Sequence, residues 1–498
     1  MTRQTHRDAR QYGDFQTPPD LAAAACAVLA RRGVDAAAVL EPTCGRGAFL
    51  MAAAAQFPRC RLLLGVEINP VYAAAAGRNP EVQVEQGDFF SMDWPRVLDR
   101  DPGPWLILGN PPWVTNAELG VLGSGNLPAK SNFQGHRGLD AVTGKANFDL
   151  SEWMLLQHLS WLEERSGWIA MLVKTSVARK TLRHAWKRQM PTGRAAIFRI
   201  DALRSFGASV DACFLVLPVN LGETSRDCDI YPDLSAPAPA GVTGFHDDML
   251  VADVDGYRRF RGLIGHNADY IWRSGVKHDC ARIMELSGSV EQGFTNGKGE
   301  RLHLEEACLY PMLKSSDVAR GRIRSDRRMI VTQRRVGADT SLLRITAPKT
   351  WAYLVSQAAL MDKRSSVIYK NKPRFSIFGV GDYTFAPWKV AISGFYKNPR
   401  FVKIGPIDGK PVVFDDTVYF LPCRSEEEAD FILLLVQSEP YRRIIEAMSF
   451  PDEKRPITAE LLKRVSLQQV AERLGLTSEY CRFRDHVETE PRNLELIF

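Results

Sequence analysis

The first 110 residues of the chain alternate between short apolar runs and Ala-rich stretches, and that alternation constrains the fold more than any other feature. Residues 38–41, 62–67, 82–84 and 105–108 are apolar runs of strand length, and the first two close on an acid, Glu41 and Glu67. Residues 21–31 and 48–56 are Ala-rich and of helical length. Strands that alternate with helices predict a mostly parallel sheet with helices on both faces, because parallel neighbours need a crossover connection. The pattern continues with an amphipathic helix over 151–164 and strands over 168–173 and 211–218. The stretch 120–145 is rich in Gly, Asn, Ser and Lys and is too long for a simple connection, which marks it as functional.

At 233–245 the composition shifts to Ser, Ala, Pro and Gly, which reads as a linker. Beyond it, short β-like pieces with many aromatic and basic residues run to about 420, and the chain turns helical from Glu426. The expected organisation is an α/β domain over 1–232, a linker over 233–245 and a second domain over 246–498. With 45 % hydrophobic and 24 % charged residues, the 498-residue chain has the composition of a globular protein with a large core. No apolar run reaches the roughly 18–20 residues of a membrane helix, and the first ten residues hold no apolar signal region. The nine cysteines are scattered without CxxC spacing, so neither a metal site nor a redox motif is expected. Together these features predict a cytoplasmic protein with reduced thiols, no metal and no membrane partner.

The turn after the first run reads Glu41-Pro42-Thr43-Cys44-Gly45-Arg46-Gly47. Gly45 and Gly47 let backbone approach a ligand closely, since neither carries a Cβ. The turn is not GxGxxG, and no Gly-Lys-Ser/Thr follows, which disfavours a phosphate loop. Glu67 ends the next strand, where an acid suits the two hydroxyls of a ribose. Gln86-Gly87-Asp88-Phe89 follows, with an acceptor for an adenine amine and a ring for its face.

The apolar run 105–108 leads into Gly109-Asn110-Pro111-Pro112-Trp113. A planar exocyclic amine is a poor nucleophile because its lone pair is delocalised into the ring. The Asn110 side-chain carbonyl and the Pro111 backbone carbonyl can accept both amine hydrogens and draw the nitrogen towards sp³ geometry. Pro112 stiffens the turn through its fixed φ. Trp113 offers a face on which a base can stack, worth roughly 1–3 kcal/mol in single-strand binders.

These motifs, with Gly13-Asp14-Phe15-Gln16-Thr17-Pro18 ahead of them, resemble S-adenosylmethionine-dependent adenine-N6 DNA methyltransferases in the gamma order of TaqI-like enzymes. The resemblance implies a Rossmann-like class I methyltransferase domain with a mostly parallel sheet, followed by a mixed α+β C-terminal target recognition domain. It implies S-adenosyl-L-methionine as cofactor and double-stranded DNA as partner, with transfer to N6 of a flipped adenine in restriction–modification or phage defence. By position it places Thr17 and Pro18 beside the methionine end of the cofactor and Glu41 opposite the ammonium, across the turn at Gly45 and Gly47. It places Glu67 on the ribose, Asp88 and Phe89 on the adenine, and Asn110, Pro111, Pro112 and Trp113 on the target base. Phe206 matches the aromatic that packs on the other side of that base. The chain departs from the family pattern at Trp113, where Tyr or Phe is commoner, and at Cys44 and Arg46, which are commonly smaller. Neither departure removes a named catalytic group.

Between 363 and 403 nine Lys and Arg stand against one acid, Asp382, in a chain of net charge +6. Aromatics interleave them. This is the electrostatic footprint expected for phosphates, and Lys363, Arg364, Lys370, Lys372, Arg374 and Lys389 are its candidate DNA contacts. Two other readings stay open. The acceptor is instead an RNA adenine or a protein glutamine amide, which share the planar-nitrogen problem, or the chain is a non-catalytic DNA-binding component of a defence complex. No nuclease motif is apparent, which disfavours a fused restriction activity and leaves open a restriction endonuclease or defence subunit as a separate partner.

Overall fold

The computed structural model describes residues 16–114, 149–289, 292–396 and 399–484. Residues 13–15 of the leading motif, the 120–145 stretch and Lys397 lie outside the described residues. The chain divides into two compact units between Asp255 and Gly256.

In the first unit α1 (Pro19–Arg31) precedes β1 (Ala38–Glu41), α2 (Ala48–Gln56), β2 (Leu62–Glu67), α3 (Pro70–Ala76), β3 (Gln83–Gln86), α4 (Trp94–Leu98) and β4 (Trp105–Gly109). Then follow α5 (Leu150–Trp161), β5 (Gly167–Lys174), α6 (Thr175–Lys187), β6 (Ala195–Ile200), α7 (Ala202–Phe206), β7 (Ala212–Val219), β8 (Asp227–Tyr231), β9 (Gly241–His246) and β10 (Met249–Val251). All ten strands form one sheet in the order β10-β9-β8-β6-β7-β5-β4-β1-β2-β3. Strands β1 to β5 pair in parallel. β7 runs antiparallel between β5 and β6.

Every residue of β1 and β4 is buried, as helices on both faces require. Alternate residues feed two separate cores. Leu40 and Ile107 pack with Met154 and Trp186, whereas Val39, Leu106 and Leu108 pack with Leu29 and Phe49. Strand order runs outward from β1 to β3, then restarts at β4 and proceeds the other way. That reversal makes the carboxyl ends of β1 and β4 a topological switch point, where open α/β sheets bind ligands. The α/β fold with a mostly parallel sheet expected from the sequence is the fold observed.

The expected linker is not one. Gly241–His246 pairs antiparallel with β8, so the sheet runs through the 233–245 stretch to Val251. The Ser, Pro and Gly residues before it turn the chain between two strands of the same sheet.

The second unit holds β11 (Arg273–Ser274), β12 (Glu285–Ser289), β13 (Gly293–Asn296), β14 (Arg301–Leu302), β15 (Leu309–Leu313), β16 (Arg327–Ile330), β17 (Trp388–Ser393), β18 (Phe401–Ile404), β19 (Val413–Phe414) and β20 (Val418–Cys423). They form two sheets, β11-β20-β17-β18 and β14-β13-β12-β16-β15-β19. Helices Glu426–Gln437, Glu439–Met448, Ala459–Lys463, Leu467–Arg473 and Thr477–Arg484 follow, giving the mixed α+β character expected. Among the described residues no helix is long and apolar enough to cross a membrane.

Candidate cofactor and catalytic site

The predicted site residues of the first unit collect at the switch point. Glu41 and Glu67 end β1 and β2, and Asn110 directly follows β4. Gly47 has φ +81° and begins α2, and an added Cβ would sit 2.9 Å from Ala76 Cβ. Gly45 has φ +52°, and a Cβ there would strike Gln16 Oε1 at 2.7 Å. Both positions therefore need glycine. Gln16 Oε1 also accepts from Arg46 N at 3.1 Å, which lays the first motif over the turn. The Arg46 side chain is exposed and its guanidinium lies 5.0 Å from the Tyr72 ring centroid, so it does not crowd the turn.

Glu41 is buried, and its Oε2 has no hydrogen-bond partner among the described residues. Burial pushes its carboxyl well above the usual range, and the charge of Glu67 adds to the rise. A buried acid with an orphan oxygen beside a glycine turn fits a cationic ligand group that restores the charge. Glu67 is held by two backbone amides, Gly45 N on Oε2 and Asn69 N on Oε1, each at 2.8 Å. Asp88 accepts from Phe90 N at 3.0 Å.

Phe89 departs from its expected place. Its ring is 6 % exposed and lies 5.0 Å from Trp94, 5.7 Å from Trp161 and 5.9 Å from Trp153 and His158. It is a core ring in an aromatic nest rather than an open face for adenine. An apolar side chain that is exposed here is Ile68, 49 % exposed, directly after Glu67. Sequence reasoning passed over it, although an apolar residue just beyond a strand-ending acid was a readable signal.

The Asn-Pro-Pro-Trp turn is tied from several sides. Asn110 Nδ2 donates to Thr17 Oγ1 at 3.3 Å, so Oδ1 is the end of the amide that Thr17 does not use. An added Cβ at Gly109 would lie 3.4 Å from Glu41 Cγ, which places Asn110 next to that buried acid. Trp113 Nε1 donates to Leu172 O at 3.2 Å. Its ring is 6 % exposed, sits in the core with Leu106 and Leu108, and meets Phe206 directly at 5.2 Å and 72°, an edge-to-face corner, so neither the open stacking face expected of Trp113 nor a gap for a base between it and Phe206 is observed. Antiparallel β7 causes that meeting, because Ala212 pairs with Lys174 and brings the preceding 206–211 turn to the carboxyl end of β5.

Lys174 was missed in the sequence. Its Nζ donates to Trp113 O at 3.2 Å and to Asp149 Oδ2 at 2.6 Å. Leu150 N donates to Val114 O at 2.8 Å, which ties the start of α5 to the residue after Trp113.

In the second unit the predicted phosphate contacts separate into two groups. Lys363, Lys370 and Lys372 are exposed. Lys389 is 1 % exposed, donates to Ala386 O at 2.5 Å, and burial pushes its ammonium down to about 7. It is a core residue and not a phosphate contact, because its place on β17 turns it inward. Arg364 donates to the carbonyls of Met361, His278 and Ser376 and stacks on Tyr369 at 3.7 Å. Arg374 pairs with Asp362 at 2.5 Å. Both arginines are engaged within the unit. Among the described residues no group of three or more His, Cys, Asp or Glu could hold a metal ion.

No family model matches the chain. The type II methyltransferase M.NspV of Nostoc sp. is 41 % identical over 478 residues, which is 95 % of this chain and 99 % of that protein. Among solved structures, the type IIL restriction–modification enzyme MmeI in complex with DNA matches with a TM-score of 0.49 at 14 % identity, over 92 % of this chain and 64 % of that one. The M protein of the type I restriction enzyme EcoKI matches with a TM-score of 0.31 at 13 % identity, over 43 % of this chain and 47 % of that one.

Proposed function

Because the chain belongs to the type II methyltransferases, with S-adenosyl-L-methionine as cofactor, we propose that it methylates N6 of an adenine in double-stranded DNA, as the modification partner of a separate restriction endonuclease. The observation that carries this reading is Asn110, directly after β4, with its amide nitrogen bonded to Thr17 at 3.3 Å and the preceding Gly109 against the buried Glu41 carboxylate.

When bound, the cofactor supplies a methyl group on a sulfonium. Glu41 receives the cofactor ammonium with its orphan oxygen, and that pairing offsets the burial of its charge. Glu67 faces the ribose hydroxyls, Asp88 faces the adenine amine, and Ile68 provides apolar contact for the adenine ring. Thr17 and Pro18 flank the methionine end. A target adenine must leave the duplex stack to reach this depth. Trp113 and Phe206 wall this place as packed rings, and a base that stacks on either requires them to part from their 5.2 Å contact. Asn110 Oδ1 and the Pro111 carbonyl accept the two amine hydrogens, which exposes the nitrogen lone pair for in-line attack. Holding both reactants in that geometry supplies the rate enhancement through proximity and orientation.

Long-read modification calling on DNA from a methylation-free host expressing the chain tests the reading. One motif bearing N6-methyladenine is the expected result, and Asn110→Ala should abolish it while leaving cofactor binding intact. An unmodified genome, from protein that binds the cofactor, would move the acceptor to RNA or a protein amide. A chain that does not bind the cofactor at all would be a non-catalytic component.

A further inference from the structure

We infer that the 320–324 loop of the second unit, together with Arg400, is a phosphate-binding surface for duplex DNA; this rests on the DNA reading above. The loop reads Arg320-Gly321-Arg322-Ile323-Arg324, three arginines in five residues. It follows the short helix Ser315–Ala319 and leads into β16.

The base of the loop is built rather than loose. Gly321 has φ +71°, Gly321 N donates to Val318 O and Arg322 N donates to Asp317 O, each at 2.9 Å. A Cβ on Gly321 would sit 2.5 Å from Arg400 Cζ, so a fourth guanidinium lies across this bare stretch of backbone. Asp317 is buried beneath the loop. It accepts from Lys314 N, pairs with Arg327, and lies 3.8 Å from Arg322. One buried carboxylate thus orients two arginines from below.

The loop's other charges have no such counterpart. Arg320 and Arg324 are exposed, and neither has an acid at ion-pair distance among the described residues. Ile323 stands between Arg322 and Arg324 and is 53 % exposed. Like charges held this close repel one another, and a polyanion relieves the repulsion. An apolar side chain among guanidiniums suits a groove wall or a base step. The sequence-predicted footprint cannot serve in the same way throughout. Lys389 is buried, Arg364 and Arg374 are engaged, and Lys403 pairs with Glu426 and Asp430 at 2.9 and 2.6 Å.

The test uses the full chain carrying Arg320→Ala and Arg324→Ala together. Both side chains are exposed, so thermal unfolding and cofactor affinity should match the wild type. Binding is measured against salt on two duplexes, one with the methylated motif and one without. Loss of two phosphate contacts should lower the slope of log affinity against log salt by about 2, and weaken both duplexes by similar factors. The KM for DNA should rise while kcat at saturating DNA stays within about twofold. A Lys363→Ala, Lys370→Ala, Lys372→Ala variant serves as comparison. An unchanged slope in the arginine variant, with salt-dependent wild-type binding, overturns this surface alone. A wild type that binds cofactor but no duplex overturns the DNA reading and the surface with it.

Discussion

Lys174→Met should unfasten the Asn-Pro-Pro-Trp turn at a cost the geometry sets. The Lys174 Nζ is 2.6 Å from Asp149 Oδ2, with side chains 22 % and 10 % exposed. Removing one partner of a fully buried pair costs about 3–5 kcal/mol, and an exposed pair is worth ~0–1 kcal/mol. This pair lies between those limits, and Asp149 keeps Ser151 N as a second partner at 3.1 Å. The expected loss is about 1.5–3 kcal/mol. Asp149→Asn removes the stranded charge, so the double variant should recover about 1 kcal/mol relative to additivity. The Trp113 carbonyl also loses its donor, and a small misplacement of a catalytic group can cost up to about 100-fold in rate. A fall in kcat of about tenfold is therefore expected, with cofactor affinity unchanged because Glu41 and Glu67 sit on other strands. Urea unfolding of the four proteins in the cycle, single-turnover methylation and equilibrium cofactor binding measure these quantities. A Lys174→Met protein with unaltered stability and kcat would refute the reasoning, as would a strictly additive cycle.

His158 is fully buried, neither ring nitrogen has a hydrogen-bond partner among the described residues, and burial pushes its pKa down to about 3. The unfolded chain takes up a proton near pH 6.5 that the folded state refuses, so stability falls as pH drops from about 6.5 towards 3. His158→Phe should remove that loss, and its advantage over wild type in urea unfolding should widen by about 2 kcal/mol between pH 7 and pH 5; parallel pH profiles would contradict the assignment. Gly47→Ala should cost about 1–3 kcal/mol and weaken cofactor binding by calorimetry, since its Cβ would press on Ala76. Gly33→Ala, at φ +73° with nothing within 4 Å, should lose stability alone, and equal cofactor losses in both variants would argue against a crowded turn.

The sheet was legible where strands are continuous apolar runs closed by turn residues. Runs read at 168–173 and 211–218 appear as Gly167–Lys174 and Ala212–Val219. The linker was misread because Ser, Pro and Gly mark any turn, and only pairing with β8 distinguishes a hairpin from a tether. Side-chain direction was harder still. Phe89 is turned inward by Trp94 and Trp161, which the local motif does not reveal. The basic stretch looked unopposed because Asp362, which pairs with Arg374, lies one residue before it, and because Arg364 binds carbonyls that carry no formal charge. Lys174 gave no local signal, since its partners are 25 and 61 residues away.

Glu67 answers to two masters. Its oxygens brace the Gly45 amide and the Asn69 amide, and Asn69 in turn caps α3 through Val71 N. The Glu67 carboxylate is thus already oriented, and little rotamer freedom remains to be lost if a ligand meets it. The same bracing narrows what evolution can try there. A shorter or neutral side chain would loosen two loops, whereas among the described residues the Asp88 carboxylate accepts only from the neighbouring Phe90 amide. Divergent relatives should therefore vary at position 88 more freely than at 67.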